Sequence, residues 1–481
     1  MDIGSLKKLV TVNAHTRVSP QDVPPEEPQP SWNFAWDDMT GEALDAEEVC
    51  KARAVEMAYV ANRGVWRKVP RSLAIRNGWK VIPTRWIDIN KGDHMAPNYR
   101  SRLVAKEYND CAQAGLFAAT PPLEALRMLI SDAATIREEE EEEPRVIMLN
   151  DVARAFFEAP MTRMVCVELP EEAFAEGDER DTVGLLQLSL YGTRDAAANF
   201  QMEVQKFLVS EGFEQSAYSP QVYWHRSRYL KTLVHGDGFV TSGVGSAAQW
   251  FEGRLQRRFE IKSHIIGPRE GDLREHRVLG RILRVTPQGW QYEADPRHAE
   301  MIIRSLGLGV ANGVRCPGED ARAFEEEANQ EPLDTADARE YRAGAARANY
   351  LAQDRADIVF AAKECCRGMG TPTRGHLKAL RRLARYLVAV PRVVWHFTFQ
   401  QPQTTLRMYS DSDWAGCRRT ARSTSGGVAM VGGHCIRCYS VTQKFVTLSS
   451  GEAELVGIVK MSTERIGVMS MFLDWSRTLG A

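Results

Sequence analysis

The chain has 481 residues, 44% of them apolar, and its 61 basic side chains nearly balance 63 acidic ones, leaving a net charge of −2. That length suggests roughly three domains with packed cores, a globular protein. The balance excludes a global electrostatic pull toward nucleic acid, so any such partner would have to be held by local basic surfaces.

Met1–Val10 carries Asp2, Lys7 and Lys8 without a long apolar stretch, and nowhere do about 18 uncharged apolar residues run together, so neither a secretory signal nor a membrane span is predicted. The resulting expectation is an intracellular protein of cytoplasm or nucleus, not secreted. Residues 1–46 include a proline and acid cluster from Pro20 to Pro30 that cannot bury enough apolar surface to fold alone, and they read as a disordered or linker segment. Asp45–Asn62 has a helical pattern, and the run from Trp79 to Ile89 alternates like a strand up to a Lys91-Gly92 turn. The next predicted strand is Tyr99-Arg-Ser-Arg-Leu-Val-Ala-Lys106. Arg100 and Arg102, at i and i+2, share one of its faces, where with Lys106 they either grip phosphates or charge a solvated edge strand.

Pro121–Ala134 has apolar residues at 123, 126, 129, 130 and 133 and is a predicted amphipathic helix. Six consecutive glutamates, Glu138–Glu143, form a like-charge block expected in an exposed loop, not in a metal site. The run from Arg145 to Phe157 reads as a buried strand that delivers Asp151 to its end, with Val165–Leu169 expected to close a hairpin against it. Leu188–Asp195 opens a helix that stops at Gly212; Gly192 at its entrance either lets a base pair approach the backbone or is an ordinary loop glycine. Lys231–Gly243 reads as a hairpin: Thr232–Val234 and Phe239–Thr241 suit strands, and Gly236-Asp237-Gly238 supplies residues that tolerate positive φ. Asp237 then sits at the tip, although Asp-Gly is also a common turn signal with no chemistry attached.

Ala247–Phe259 is a predicted helix carrying Arg254, Arg257 and Arg258, and strands follow around Val278–Leu283 and Gly289–Tyr292. Helices dominate from Asp337 to Val390; in one, Lys378, Arg381, Arg382 and Arg385 stand opposite an apolar stripe, as a solvated face or a nucleic-acid track. Leu406–Gly416 is a strand ending in Asp411 and Asp413, with further strands at Gly426–Val431 and Cys435–Ser440. Thr447–Gly457 starts a helix capped by Ser449 or Ser450, with Glu452 and Glu454 in its first turns. The nine cysteines are odd in number and scattered, which suits reduced thiols; Cys435-Ile-Arg-Cys438 has zinc-knuckle spacing but no second Cys/His pair nearby.

Two groups of strand-end or turn acids, each far apart in sequence, stand out. Nucleotidyl transfer assisted by two magnesium ions needs such convergent carboxylates, because hard cations want oxygen ligands and the charge developing on phosphorus needs neutralising. Acidic strand ends are frequent, so the order of the motifs decides. Asn150-Asp-Val-Ala-Arg-Ala-Phe156, Ser189-Leu-Tyr-Gly-Thr-Arg-Asp-Ala196, Leu233-Val-His-Gly-Asp-Gly238, Ser410-Asp-Ser-Asp-Trp-Ala-Gly416, Arg422-Ser-Thr-Ser-Gly426 and Leu448-Ser-Ser-Gly-Glu-Ala-Glu454 follow one another in an order that resembles copia-type retrotransposon polyproteins. Tyr99–Ala105 and Tyr341–Phe360, including Asp354-Arg-Ala-Asp-Ile, fit the same pattern, so the resemblance covers residues 47 to 481.

The resemblance implies an α+β fold: a right-hand polymerase (fingers, palm, thumb) followed by a truncated RNase H-like α/β domain. Fingers and palm would span 47–310, a helical thumb or connection 311–400, and the RNase H-like part 401–481. It implies an RNA-directed DNA polymerase working on an RNA template, a DNA primer and deoxynucleoside triphosphates with magnesium, or manganese in its place, and with no membrane partner. Carried over residue by residue, Asp151 and Asp237 would be polymerase carboxylates bridging the metal, and Val152 would offer it a backbone carbonyl. Arg100 and Arg102 would face the triphosphate, Tyr191 and Gly192 would lie under the templating pair, and Asp411 and Glu454 would be the first RNase H metal ligands. The family's hairpin tip carries paired aspartates after Tyr-Val, whereas this tip reads His235-Gly236-Asp237-Gly238. One polymerase carboxylate is therefore missing, and impaired catalysis is expected. Ala356 stands where the family has proline, the RNase H aspartates that the family places beyond the final helix are not in this sequence, and Asp474 within that helix is a poor substitute. The competing expectation is a non-catalytic nucleic-acid-binding remnant that keeps its template cleft through Arg100, Arg102 and the Arg254–Arg258 helix.

Overall fold

The computed structural model describes residues 34–93, 95–108, 116–137, 143–318, 329–417 and 419–476. The Pro20–Pro30 cluster and all but Glu143 of the glutamate block lie outside them. The chain divides into two compact units, Met1–Ala119 with Val152–Glu211 and Thr120–Asp151 with Gly212–Ala481.

In the first unit, residues assigned by composition to the end of the linker hold a short hairpin, Ala35–Trp36 against Ala43–Leu44. Its Asp37 carboxylate accepts the backbone N–H groups of Met39, Thr40 and Asn90. Helix Ala46–Arg63 begins where Asp45 accepts from the amides of Glu47 and Glu48, and ends at Gly64 in the left-handed conformation, φ 64°. The alternating run after Trp79 breaks at Pro83. Lys80–Ile82 pairs in parallel with Val165–Val167, and Thr84–Asn90 pairs antiparallel with Tyr99–Ala105. Val165–Glu168 therefore does not close a hairpin with the Arg145 strand, as the sequence predicted. It lies inside a four-stranded sheet, ordered Trp66–Pro70, Thr182–Leu186, Val165–Glu168, Lys80–Ile82. Both edges of the Arg145 strand are already taken. Val60, Val65, Ile82, Ala105, Phe157, Val165, Val167, Leu186 and Leu190 form the core beneath this sheet.

The second unit is organised on a six-stranded sheet, ordered Glu214–Gln215, Val222–His225, Leu230–His235, Gly238–Val244, Arg145–Val152, Ile261–Ile266. Val152, the last residue of its strand, is grouped with the first unit. Helix Leu123–Ala133 is buried along nearly its whole length, which its amphipathic pattern understates. The charges on its polar face find partners in the interior: Arg127 pairs with Asp354, and Asp132 with Arg137, Arg145 and Lys231. A second sheet joins Glu275–Val278, Arg281–Thr286, Gly289–Glu293 and Val394–Thr398. The strand expected across Val278–Leu283 is a hairpin whose turn, Leu279 and Gly280, has φ of 48° and 79°. Helices Pro296–Ser305, Thr335–Ala352, Val359–Arg367 and Arg374–Ala389 share one core. On the last of these, Arg382 and Arg385 donate to the carbonyls of Gly318 and Asn312, so two of the four cations on that face tie down a loop. The final elements are strands Leu406–Ser412, Thr424–Val431 and His434–Thr442, antiparallel in that order, and helix Ser450–Ser476.

Asp354, from the Asp-Arg-Ala-Asp-Ile motif, is a buried hub: Arg127 and Arg281 pair with it, and the Tyr292 hydroxyl donates to it. Its neighbour Arg355 is also buried, bonded to Asp357 and to the carbonyls of Val390 and Pro391. Among the described residues no helix is long and apolar enough to cross a membrane.

Candidate active site

Strands Leu230–His235 and Gly238–Val244 form the predicted hairpin, with Gly236 and Asp237 as its two turn residues. Only Gly236 takes a positive φ, 63°. That matches the turn in which the first central residue alone is left-handed, a geometry that follows the twist of the flanking strands. Gly238 is in ordinary strand conformation, directly opposite Asp151 on the neighbouring strand. Residues directly opposite one another in an antiparallel pair send their side chains to the same face. A Cβ on Gly238 would meet the His235 and Asn150 carbonyl oxygens at 3.6 and 3.7 Å and Asp151 Oδ1 at 4.0 Å, all ordinary contacts. The sequence reading credited Gly238 with the turn. The structure assigns that work to Gly236, so the backbone at 238 would tolerate a side chain. Asp151 and Asp237 are both partly exposed at this end of the sheet, and Val152 is buried.

The opposite end of the same three strands is locked. Asp132, fully buried, accepts from Arg145, Lys231 and Ser242, one group from each strand, and from Arg137. Burial opposes its ionisation, but the charges of Arg137, Arg145 and Lys231 hold its carboxyl well below the usual range. Lys231 is pushed down to about 8 by burial, which outweighs its pairing with Asp132. Next to the tip, Asn150 donates to the Ser263 hydroxyl at 2.9 Å. Nothing in the sequence pattern marks Asp132, because all its partners except Arg137 come from strands outside its own helix.

In the first unit, Ser101, Leu103 and Ala105 face the core while Arg100 and Arg102 lie half-buried on the other face. The Arg102 guanidinium sits 4.7 Å from the Tyr191 ring centre. Among the described residues neither arginine makes an ion pair with a carboxylate, although the charge of Glu56 acts on Arg100. Burial, and the charges of Arg102 and Arg154, make Arg100 harder to keep protonated than an ordinary arginine. Arg154, to which the sequence assigned no role, adopts a left-handed backbone, φ 48°. That conformation costs a non-glycine residue roughly 1 kcal/mol, and such strain gathers at functional sites.

Tyr191 and Gly192 adjoin the end of the arginine strand: the Ala105 amide donates to the Tyr191 carbonyl at 2.7 Å. Gly192 has φ 83°, and a Cβ there would fall 2.0 Å from the Ala105 carbonyl oxygen. Close approach to the chain's own backbone is by itself enough to require a glycine here. Gly192→Ala is expected to cost roughly 3 kcal/mol from backbone strain and displacement of Ala105, read as a lowered denaturation midpoint; an unchanged midpoint would contradict this packing.

Asp411 is exposed on its strand, while Ser410 and Ser412 face helix Ser450–Ser476. Glu454 accepts the Ser412 backbone N–H at 3.2 Å, so it reaches the strand one residue from Asp411. Asp413 is spent on the turn, accepting from the amides of Gly416 and Thr424. Ser449, one of the two predicted caps, accepts from the Glu452 amide. Asp474 accepts from the Ser216 hydroxyl. Among the described residues no three His, Cys, Asp or Glu side chains gather closely enough to hold a metal ion by themselves. Asp151, Asp237 and the Val152 carbonyl are hard oxygen donors, and magnesium is commonly held by one or two carboxylates with substrate phosphates completing its shell. The donor set fits such an ion, with fewer charges than a three-carboxylate site would supply.

Residues 66–267 match the family described as reverse transcriptase (RNA-dependent DNA polymerase). A Retrovirus-related Pol polyprotein from transposon RE2 of Arabidopsis thaliana is 28% identical over 404 residues, 82% of this chain and 26% of that protein. One from transposon TNT 1-94 of Nicotiana tabacum is 23% identical over 443 residues, 88% of this chain and 31% of that protein. The chain thus spans between a quarter and a third of these curated relatives. A foamy viral protease-reverse transcriptase solved in complex with double-stranded DNA aligns over 85% of this chain and 59% of its own, at 12% identity and a TM-score of 0.45.

Proposed function

The chain belongs with the copia-type retrotransposon Pol polyproteins and carries their reverse transcriptase domain, and from that premise we propose that it performs RNA-directed DNA synthesis, slowly, at Asp151 and Asp237. The observation that carries the proposal is the register: Asp151 at the end of a buried strand stands beside the hairpin whose turn presents Asp237. Magnesium bound there with the triphosphate would lower the charge on the phosphates and acidify the primer hydroxyl.

The protein's own contribution is positioning. Asp132 fixes the roots of the three strands, so the two carboxylates at the other end are held without a search through conformations. Asp151 and Asp237, with the Val152 carbonyl, would hold the ion; Arg100 and Arg102 would take up phosphate charge; Tyr191 and Gly192 would lie under the templating pair. Gly238 contributes no ligand, which is the proposed cause of a low rate. On this reading, fingers and palm span 47–310, thumb or connection 311–400, and an RNase H-like part follows from 401. There, the three antiparallel strands and the long helix, with Asp411 and Glu454, support the assignment.

The test is primer extension on a primed RNA template with deoxynucleoside triphosphates and magnesium, then manganese. Slow extension is expected. Salt-sensitive binding of the primed template, with no extension in either metal, would instead favour a non-catalytic nucleic-acid-binding remnant.

A further inference from the structure

Within the first unit, two tyrosine rings are joined through one phenylalanine; Tyr191 carries one guanidinium and Tyr59 two, with Arg63 at 5.8 Å as the more distant. Arg154 lies 4.1 Å from the Tyr59 ring centre, and Arg102 lies 4.7 Å from that of Tyr191. Phe157 packs against both rings, with centroids 5.9 Å from Tyr59 and 5.5 Å from Tyr191. Arg100 shares the strand face of Arg102 and feels the charges of Arg102 and Arg154. Two acids stand at this cluster: Glu158, paired with Arg63, and Glu56, which accepts from Arg154 Nε at 2.9 Å and whose charge also acts on Arg100. Glu56 is buried, and its other oxygen has no hydrogen-bond partner. Four guanidinium groups, those of Arg63, Arg100, Arg102 and Arg154, are thus collected on a rigid aromatic support beside two carboxylates, so positive charge is in excess. Such crowding opposes folding and persists where a ligand of opposite charge repays it.

We propose that Arg154 is a phosphate-binding residue of this chain, which with Arg100 and Arg102 forms a three-arginine site for the polyphosphate of a nucleotide. The identity of the ligand rests on the polymerase reading; the arrangement of charge does not. Glu56 holds Arg154 in place when no anion is bound and competes with the anion for it. Guanidinium forks match phosphate oxygens, and the tyrosine faces restrict where the forks point. Because the cations are part of the protein, the site binds polyphosphate without a divalent ion. That property suits a chain whose metal site is short of one carboxylate.

The experiment uses the full chain in EDTA, titrated with inorganic tripolyphosphate in a calorimeter. Saturable binding is expected, weakened about tenfold in Arg154→Ala, the order of one lost charge-assisted contact. Glu56→Gln is expected to tighten binding a few-fold, since the competing charge is gone; a purely structural Arg154–Glu56 pair would give loss or no change. Arg226→Ala, in the second unit, should leave binding unaltered. Unchanged binding in Arg154→Ala, or weakening in Glu56→Gln, overturns the proposal. So does a result in which Arg154→Ala weakens binding of a single-stranded DNA oligonucleotide but not of tripolyphosphate, which would place a nucleic-acid backbone there. Tripolyphosphate binding that depends on Arg154, in a protein that cannot extend a primer, would fail the polymerase reading and keep this site. Primer extension with Arg154-independent tripolyphosphate binding would do the reverse.

Discussion

Gly238→Asp is expected to raise the single-turnover rate of primer extension by about a hundredfold, the scale on which one well-placed electrostatic group acts in an active site. Three observations combine to give this. Residue 238 is directly opposite Asp151, so its side chain emerges on the same face. Its backbone has no need of glycine, since the turn's positive φ belongs to Gly236. A Cβ placed there lies 4.0 Å from Asp151 Oδ1 and clashes with nothing. The cost is electrostatic: a third carboxylate near Asp151 and Asp237 repels both in the absence of metal. Without divalent ions the variant should therefore melt slightly lower than the parent chain, and magnesium should restore it. A folded Gly238→Asp protein that extends no faster would show that the missing carboxylate is not the principal lesion.

Asp151→Asn is expected to reduce the residual extension to background, a loss of about a thousandfold or more against a parent that extends measurably. Asparagine keeps the size of the side chain and its place at the strand end, so the sheet should keep its register. What it removes is negative charge from a site that has one carboxylate beyond Asp151 on the same hairpin assembly. Tripolyphosphate binding in EDTA should be unaffected, because the arginines proposed to hold it do not depend on the metal site. Retained extension in Asp151→Asn would mean that the activity resides elsewhere.

Much of the hairpin that presents Asp237 was legible from local signals. The Gly-Asp-Gly tip and its flanking β-formers predicted the turn, and the apolar run ending in Asp151 predicted a buried strand. Which strand pairs with which was not legible. Val165–Leu169 looked like the partner of the Arg145 strand by proximity in sequence. The real partners, Gly238–Val244 and Ile261–Ile266, lie roughly a hundred residues away, and β-pairing of that kind leaves no local mark. The split at Pro83 was readable in principle, since proline lacks the N–H a ladder needs, but the alternation on either side concealed it. Asp132, Asp354 and Arg154 share a different difficulty. Each earns its place through partners on separate segments, such as Glu56 and Tyr59 on a helix for Arg154, so no spacing rule singles them out. Gly192 is conspicuous by residue type, but its contact with the Ala105 carbonyl comes from a strand far away in sequence and leaves no local mark.

On the proposed reading, the fold keeps a polymerase site and the glycine at 238 weakens its hold on the metal. The magnesium dependence of single-nucleotide incorporation, measured side by side for the parent chain and Gly238→Asp, tests it most directly. Slow, poorly saturating incorporation is expected from the parent, and a half-saturating magnesium concentration about tenfold lower in the variant, as befits one added charged ligand. Equal magnesium requirements in two folded, template-binding proteins would contradict it.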